Sequence, residues 1–449
     1  MDARGRRRHR RVRDRPLPDG VTGRLPALRP HAAHLASRRR RRGRDGLPGL
    51  PAVRPRPVHP RDRVGAEEPA AAGIRGLLSV ADHRGALRRR RLPGRGRAHP
   101  RRGGHRRRAP PSRRRRGGDP VRTETVEVIN PGLQTTVQAW PGRLGLRAFG
   151  HAASGPMDHV CFRAANSLVG NAPGAPALEV PMIDLSVALL QDAQVAVTGP
   201  DDARVLRNDV EVAMWETIDV RAGDILTTVN TNGPGFRVYL AVSGGFDVPE
   251  VLGSAATSLV AGIGGVEGRA LDRGDVLRTR PQARIPRRRL PESMRPRFTT
   301  DWEVEVIEGP HARPDFLTAE DWNVLTGTTW RVDLNSDRIG TRLHPHRFAW
   351  ARTDAGVWGG HPSNLLDTSY PAGGVLANGD VLTILGADSN TSGGFAVVAT
   401  VPRCGLWKVG QMRPGRDRLR FREVSYEEAR ALNTRVDFSI DPARMTGAG

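Results

Sequence analysis

Apolar positions along the chain come in short blocks. Runs rich in Val, Ile, Leu and Thr lie at Thr125–Ile129, Gln194–Thr198, Ile225–Val229, Val238–Val242, Trp302–Ile307, Val381–Leu385 and Phe395–Val401. Each is bounded by Gly, Pro, Asn or Asp, which predicts strands. Helical periodicity is confined to three stretches: Asp158–Val169, Thr318–Leu325 and Ser425–Leu432. In the first, Cys161, Ala164, Ala165 and Leu168 recur at i, i+3, i+4 and i+7, leaving Arg163 and Asn166 off the apolar stripe. Asp158 is placed to cap its free amides, and Gly170-Asn171 to stop it. No strand–helix alternation of the spacing a doubly wound sheet needs is present. The pattern predicts a mainly β fold with a few helices.

Internal recurrences suggest two related halves. Gly223-Asp224-Ile225-Leu226, Gly274-Asp275-Val276-Leu277 and Gly379-Asp380-Val381-Leu382 share one pattern, a Gly-Asp turn delivering the chain into a strand. Ser243-Gly244-Gly245-Phe246 recurs as Ser392-Gly393-Gly394-Phe395. The Arg/Pro-rich stretch Pro281–Arg297 reads as a boundary. The expected organisation is a segment 1–120, a first half 121–280, a linker 281–298 and a second half 299–449.

Charge changes this picture only at the N-terminus. The net charge of +24 is the sum of +28 over residues 1–120 and −4 over the rest. Residues 1–120 carry 37 Arg, no Lys and no aromatic residue, with runs at Arg38–Arg42 and Arg113–Arg116. A stretch so poor in apolar side chains cannot offset its chain entropy, so disorder is expected. A nucleic-acid-binding arm normally carries Lys and interleaved aromatics, and a transit peptide carries more Ser and is shorter. Arg, Gly, Pro and Ala dominate here, as in a G+C-rich reading frame translated upstream of its true start. The expectation is translation from near Val121, and a body whose mild acidity argues against a nucleic-acid partner. No run of eighteen apolar residues and no secretory h-region is present, and the two cysteines, Cys161 and Cys404, read as small buried side chains in a reducing, cytoplasmic setting.

Several groupings could carry chemistry. Gly262–Arg269 (GIGGVEGR) is no dinucleotide fingerprint, and no phosphate-binding loop with its Lys-Ser/Thr occurs, so the chain shows no nucleotide motif. The loop could line an anion pocket ending in Arg269, or be a tight β connection. Arg338 and Arg342 flank a turn with Asp337, suiting a carboxylated ligand or a turn-stiffening ion pair. Trp358–Asp367 gathers His361, Ser363, Asn364 and Asp367 without metal-ligand spacing. Lys408 is the one lysine against 70 arginines, so it marks either a proton-transfer role that guanidinium cannot fill or chance survival.

At these residues the body resembles the biotin-dependent carboxyltransferase family, also described as allophanate hydrolase subunit 2. That family includes the carboxyltransferase domain of urea carboxylase and one of the subunits of bacterial 5-oxoprolinase. The matching motifs include Thr135–Gln138, Pro141-Gly142-Arg143, Ser154–Asp158 (SGPMD), Leu168–Asn171 (LVGN), Tyr239–Gly245, Gly264–Leu271, Asp337–Leu343 and Gly410–Gly415 (GQMRPG). Gly360–Asn364 and Leu406–Gln411 look closer to the urea carboxylase branch. Ala139, His151-Ala152, Ala255-Ala256 and Val266 depart from the family pattern. The resemblance implies cyclophilin-like β-barrel halves and transfer of a carboxyl group to a urea-like or amide-like acceptor. Carboxybiotin would come from another chain, since no Met-Lys-Met site is present, and ATP would be used by the complex. Within that reading Lys408, His361 and Asp158 are the candidate catalytic residues. Arg338, Arg342, Asn364, Ser154, Asn166 and Arg269 are the candidate binding residues, and no metal is expected. Implied partners are a subunit-1-like chain and a biotin carboxylase or the other 5-oxoprolinase chains. The alternatives are a subunit of an ATP-dependent amide or lactam hydrolase, or a non-catalytic regulatory partner.

Overall fold

A computed structural model describes residues 123–449, apart from 183, 230, 231, 355–358 and 449. The basic segment 1–120, the expected start near Val121 and Trp358 lie outside the described residues. All seven predicted strands form, most of them a residue or two longer than the apolar run. Residues 123–279 supply two antiparallel sheets. One runs Val276–Thr279, Thr123–Asn130, Ser186–Leu189, Ile225–Val229, Arg204–Arg207, Val210–Val212. The other runs Thr136–Gln138, Ala177–Pro181, Arg237–Val242, Ala193–Thr198, Ile218–Val220. An eight-stranded sheet takes its strands from residues 301–423, with Asp301–Glu308 and Arg418–Glu423 paired in parallel. The architecture is mainly β with four helices among the described residues. Its ladders run as open sheets rather than closing into barrels.

The five-stranded sheet is buried on both faces, and its sequence shows how. Along its inner strands Leu178, Val180, Val195, Val197, Leu240 and Val242 point into a core shared with the six-stranded sheet. Ala177, Ala196, Tyr239 and Ala241 alternate with them and face helix α1 (His159–Leu168). Large side chains fill the sheet–sheet gap, while three alanines on the opposite face let a helix approach closely. Every residue of α1 except Arg163 is buried, and the same core continues into Val304, Val306, Val375 and Ala377 of the eight-stranded sheet.

Helix α2 (Ala319–Gly327) opens with a capping box between Thr318 and Asp321. Helix α3 (Arg403–Gln411) is not signalled by periodicity, because Gly405 and Gly410 interrupt it. These glycines mark close approach: a Cβ on Gly410 would land on the Met157 carbonyl, and one on Gly405 within 2.9 Å of Val401. Helix α4 (Tyr426–Ser439) begins at the Ser425 cap and runs a further seven residues beyond its apolar pattern. The Gly-Asp turns behave alike, since Gly223, Gly274 and Gly379 all have positive φ and each delivers a strand. The stretch 281–298 lies stapled to residues on either side of it. Ile285 N–H donates to Gln194 Oε1, Leu290 is fully buried, and Arg288–Arg289 pairs with Thr446–Gly447. No helix among the described residues is long and apolar enough to cross a membrane.

Candidate active site

Helix α1 starts where SGPMD meets the eight-stranded sheet, and a cavity of about 370 Å³ opens there. Trp140, Leu144, Ser154, Pro156, Met157 and His159 form one wall; Gly373, Leu385–Ala387, Arg403, Leu406 and Val409 form the other. The turn is pinned from several sides. Ser154 adopts φ 56°, and its N–H donates to Ala387 O at 3.0 Å. The Ser154 hydroxyl is buried and has no hydrogen-bond partner.

Behind the turn sits a buried polar lattice centred on Glu179, a carboxylate in the otherwise apolar strand Ala177–Pro181. Its Oε2 accepts from Met157 N–H at 2.7 Å and from Tyr239 OH at 2.8 Å; its Oε1 accepts from Arg338 Nη1 at 2.5 Å. Arg338 also donates to Asp388 Oδ2 at 2.7 Å and to Gly155 O at 2.8 Å, so its guanidinium is spent inside the protein. Arg237 lies beside Glu179 at 3.5 Å and donates to Gly410 O, and burial pulls its pKa down. Buried charges of this kind are tolerated only when paired and hydrogen-bonded, as here.

Asp158 lies fully buried beneath the turn. It accepts from Val160 N–H at 2.8 Å, Cys161 N–H at 3.0 Å and Gln411 Nε2 at 2.8 Å. Burial raises its pKa despite those donors. It joins α1 to α3 as a cap. Asn166 is also buried, donating to Ala175 O at 3.0 Å and accepting from Asn171 at 2.9 Å, which locks the LVGN stop. Of the nine candidate residues, the structure thus puts Ser154 in the cavity wall and Asp158 and Arg338 directly behind it.

The others lie elsewhere. Lys408 donates to Glu303 O and both Glu305 oxygens at 2.8–2.9 Å and lines a second cavity, of about 530 Å³, with Cys404, Trp407 and Arg435. Helix α3 turns Leu406 and Val409 to the first cavity and Lys408 to the second. His361 Nδ1 is 2.8 Å from Ser363 Oγ, and its ring meets Trp350 edge-on; Asn364 Nδ2 donates to Gly359 O at 2.9 Å. Arg342 is exposed and donates to Asn335 O. Arg269 holds Asp275 through two bonds of 2.7 and 2.9 Å.

The sequence reading missed His159. Its Nε2 is 3.1 Å from Arg403 O, so Nε2 carries the hydrogen and Nδ1 is a bare acceptor, buried and without a partner. Burial lowers its pKa from 6.5 to about 4. Glu179 belongs to a stretch that carries the family resemblance, Leu178-Glu179, but was not among the candidate site residues, although a lone carboxylate inside a five-residue apolar strand was a visible signal.

Residues 149–423 match the family described as "Carboxyltransferase domain, subdomain A and B". The chain is similar to a urea amidolyase of Lachancea kluyveri, at 38% identity over 326 residues, covering 70% of this chain and 18% of that protein. It is 31% identical to a 5-oxoprolinase subunit of Haemophilus influenzae, over 71% of this chain and 97% of that one. Among solved structures, the Kluyveromyces lactis urea carboxylase superposes with a TM-score of 0.68 at 37% identity, over 73% of this chain and 29% of that one. The chain therefore spans about a fifth of the fungal urea amidolyase and nearly the full length of the bacterial protein.

Proposed function

Since the chain belongs to the carboxyltransferase domain family, subdomains A and B, we propose that it is a carboxyltransferase-type subunit. It moves a carboxyl group from carboxybiotin, held on another chain, to a urea-like or amide-like small molecule. The observation that carries this reading is the first cavity. Its walls are largely apolar (Trp140, Leu144, Met157, Leu385, Leu406, Val409), with two buried, unpartnered polar atoms, Ser154 Oγ and His159 Nδ1. That donor set fits a compact bicyclic ring with a polar ureido edge: the hydroxyl can donate to its oxygen and the bare imidazole nitrogen accept from its N–H. Carboxybiotin supplies an activated carboxyl group. The apolar wall keeps water from that group, and Arg338 and Glu179 fix the Ser154–Met157 turn in place. His159 stays neutral near pH 7 and can accept a hydrogen bond throughout the physiological range.

A second reading has its own support. The bacterial relative that this chain covers almost end to end is named a 5-oxoprolinase subunit, which favours a subunit of an ATP-dependent lactam hydrolase acting without biotin. In both readings the chain works in the cytoplasm beside a subunit-1-like partner. One assay separates them. The chain is purified with its partner, a biotin carboxylase and a biotinylated carrier, and given ATP and labelled bicarbonate. Label that stays with a urea or amide product when it is separated from bicarbonate at alkaline pH, abolished by avidin, is the expected outcome. Avidin-insensitive opening of 5-oxoproline without label incorporation overturns the first reading in favour of the second.

A further inference from the structure

Four buried polar atoms without partners lie on segments that adjoin the cavity wall. They are Arg143 Nη1, Ser154 Oγ, Asp388 Oδ1 and Ser389 Oγ, on residues no more than 5% exposed. Three loop segments bring them together. Arg143 N–H donates to Ala153 O at 2.6 Å, Ser154 N–H donates to Ala387 O at 3.0 Å, and Asp388 and Ser389 follow Ala387 in the chain. Burial lowers the pKa of Arg143, and the Asp388 carboxylate is close enough to push it back up.

The rest of each charged group is committed. Arg143 Nε donates to Val251 O, and Nη2 to Ser254 O and Ala256 O. Asp388 Oδ2 accepts from Arg338. What remains is one cationic donor, one anionic acceptor and two hydroxyls able to act either way. A buried polar group left unmatched forfeits its full desolvation cost, and these four atoms carry that cost uncompensated. An anion would gain Arg143 but meet the free Asp388 oxygen, and a cation would meet the reverse. A neutral amide offers a carbonyl to the one and an N–H to the other.

We propose that Arg143, Ser154, Asp388 and Ser389 form the subsite for a small neutral amide. Its carbonyl accepts from Arg143 Nη1, its N–H donates to Asp388 Oδ1, and the two serine hydroxyls complete the ring of bonds. The assignment rests on the proposed transfer to an amide-type acceptor and deepens it by naming the residues that hold that acceptor. Ser154 belongs to both this subsite and the cavity, so the acceptor lies next to the apolar chamber.

Ligand-observed NMR on the full chain tests this, with urea and acetamide as probes and acetate as the charged counterpart. Urea and acetamide bind and acetate does not. Asp388→Asn keeps an oxygen for Arg338 but puts an amide where the acceptor was, and lowers amide binding at least tenfold. Ser389→Ala removes a hydroxyl that supports nothing else in the fold. A structural or water-filled site predicts unchanged amide binding in that variant; the subsite predicts a several-fold loss with thermal stability unchanged or raised. Equal binding of acetate, or amide binding unaffected by both substitutions, overturns the assignment. Amide binding that is lost in both variants, in a complex that transfers no label, sinks the transferase reading and leaves the subsite standing. Label transfer untouched by either variant does the opposite.

Discussion

Acidification should weaken this fold through His159 before any surface carboxylate is protonated. The imidazole is buried at the start of α1, with its Nε2 hydrogen on Arg403 O and the Arg403 and Arg163 charges acting against protonation. In the folded chain its pKa is lowered from 6.5 to about 4, mainly by burial. The unfolded chain therefore takes up the proton first. Stability from this group is fully present above pH 6.5 and is lost as pH falls toward 4. At pH 5 the loss is on the order of 2 kcal/mol, from about 1.4 kcal/mol for each pH unit below 6.5. Asp158, whose carboxyl is raised by burial, works in the opposite sense as pH falls, so the measurement has to be a difference. Guanidinium unfolding of the wild-type chain and of His159→Gln, whose amide can still reach the Arg403 carbonyl, is compared at pH 7 and pH 5. With a denaturant slope of a few kcal/mol per molar, the wild-type midpoint falls by roughly 0.3–1 M more than that of the variant. Parallel midpoints in the two proteins would refute the reasoning.

Three further outcomes follow from the lattice and the helix contacts. Glu179→Gln leaves Arg338 and Arg237 without their shared carboxylate and sets an amide donor against a guanidinium donor; a loss of about 3–5 kcal/mol is expected in calorimetry. Gly410→Ala forces α3 away from the Met157 carbonyl and costs about 1–3 kcal/mol, with a larger proportional loss of activity than of stability. Asp437 is held well below the usual carboxylate range by Arg403 and Arg163, so its contribution is present above about pH 4 and lost as pH falls further. Asp437→Asn should flatten that acid limb of the stability profile.

The fold was largely legible because its strands announce themselves through β-branched runs and Gly-Asp turns. The first helix was legible through its caps. Helix α3 was not, since Gly405 and Gly410 serve tertiary approach and dilute local helical preference. The site divides along the same line. SGPMD was readable as a motif, and Ser154 does face the cavity. The paired arginines read as ligand groups, yet Arg338 is spent on Glu179, Asp388 and Gly155, and Arg342 faces solvent. Asp388 had no local signal in its Gly-Ala-Asp-Ser-Asn turn, because its importance comes from contacts made 50 and more residues away. Rarity drew attention to Lys408, whose nitrogen is held by Glu303 and Glu305 at a different cavity.

The cap on α1 has a bearing on how the molecule is made. Asp158 is completed by Gln411, 253 positions later in the chain. Closing so long a loop is slow, and it cannot begin until both partners exist. During synthesis the sheets of the first half can pair while the helix that floors the cavity still lacks its last bond. The pocket is therefore among the final features to form. A chain cut anywhere before α3 can have well-ordered strands and still lack the wall that Arg403, Leu406 and Val409 give the cavity.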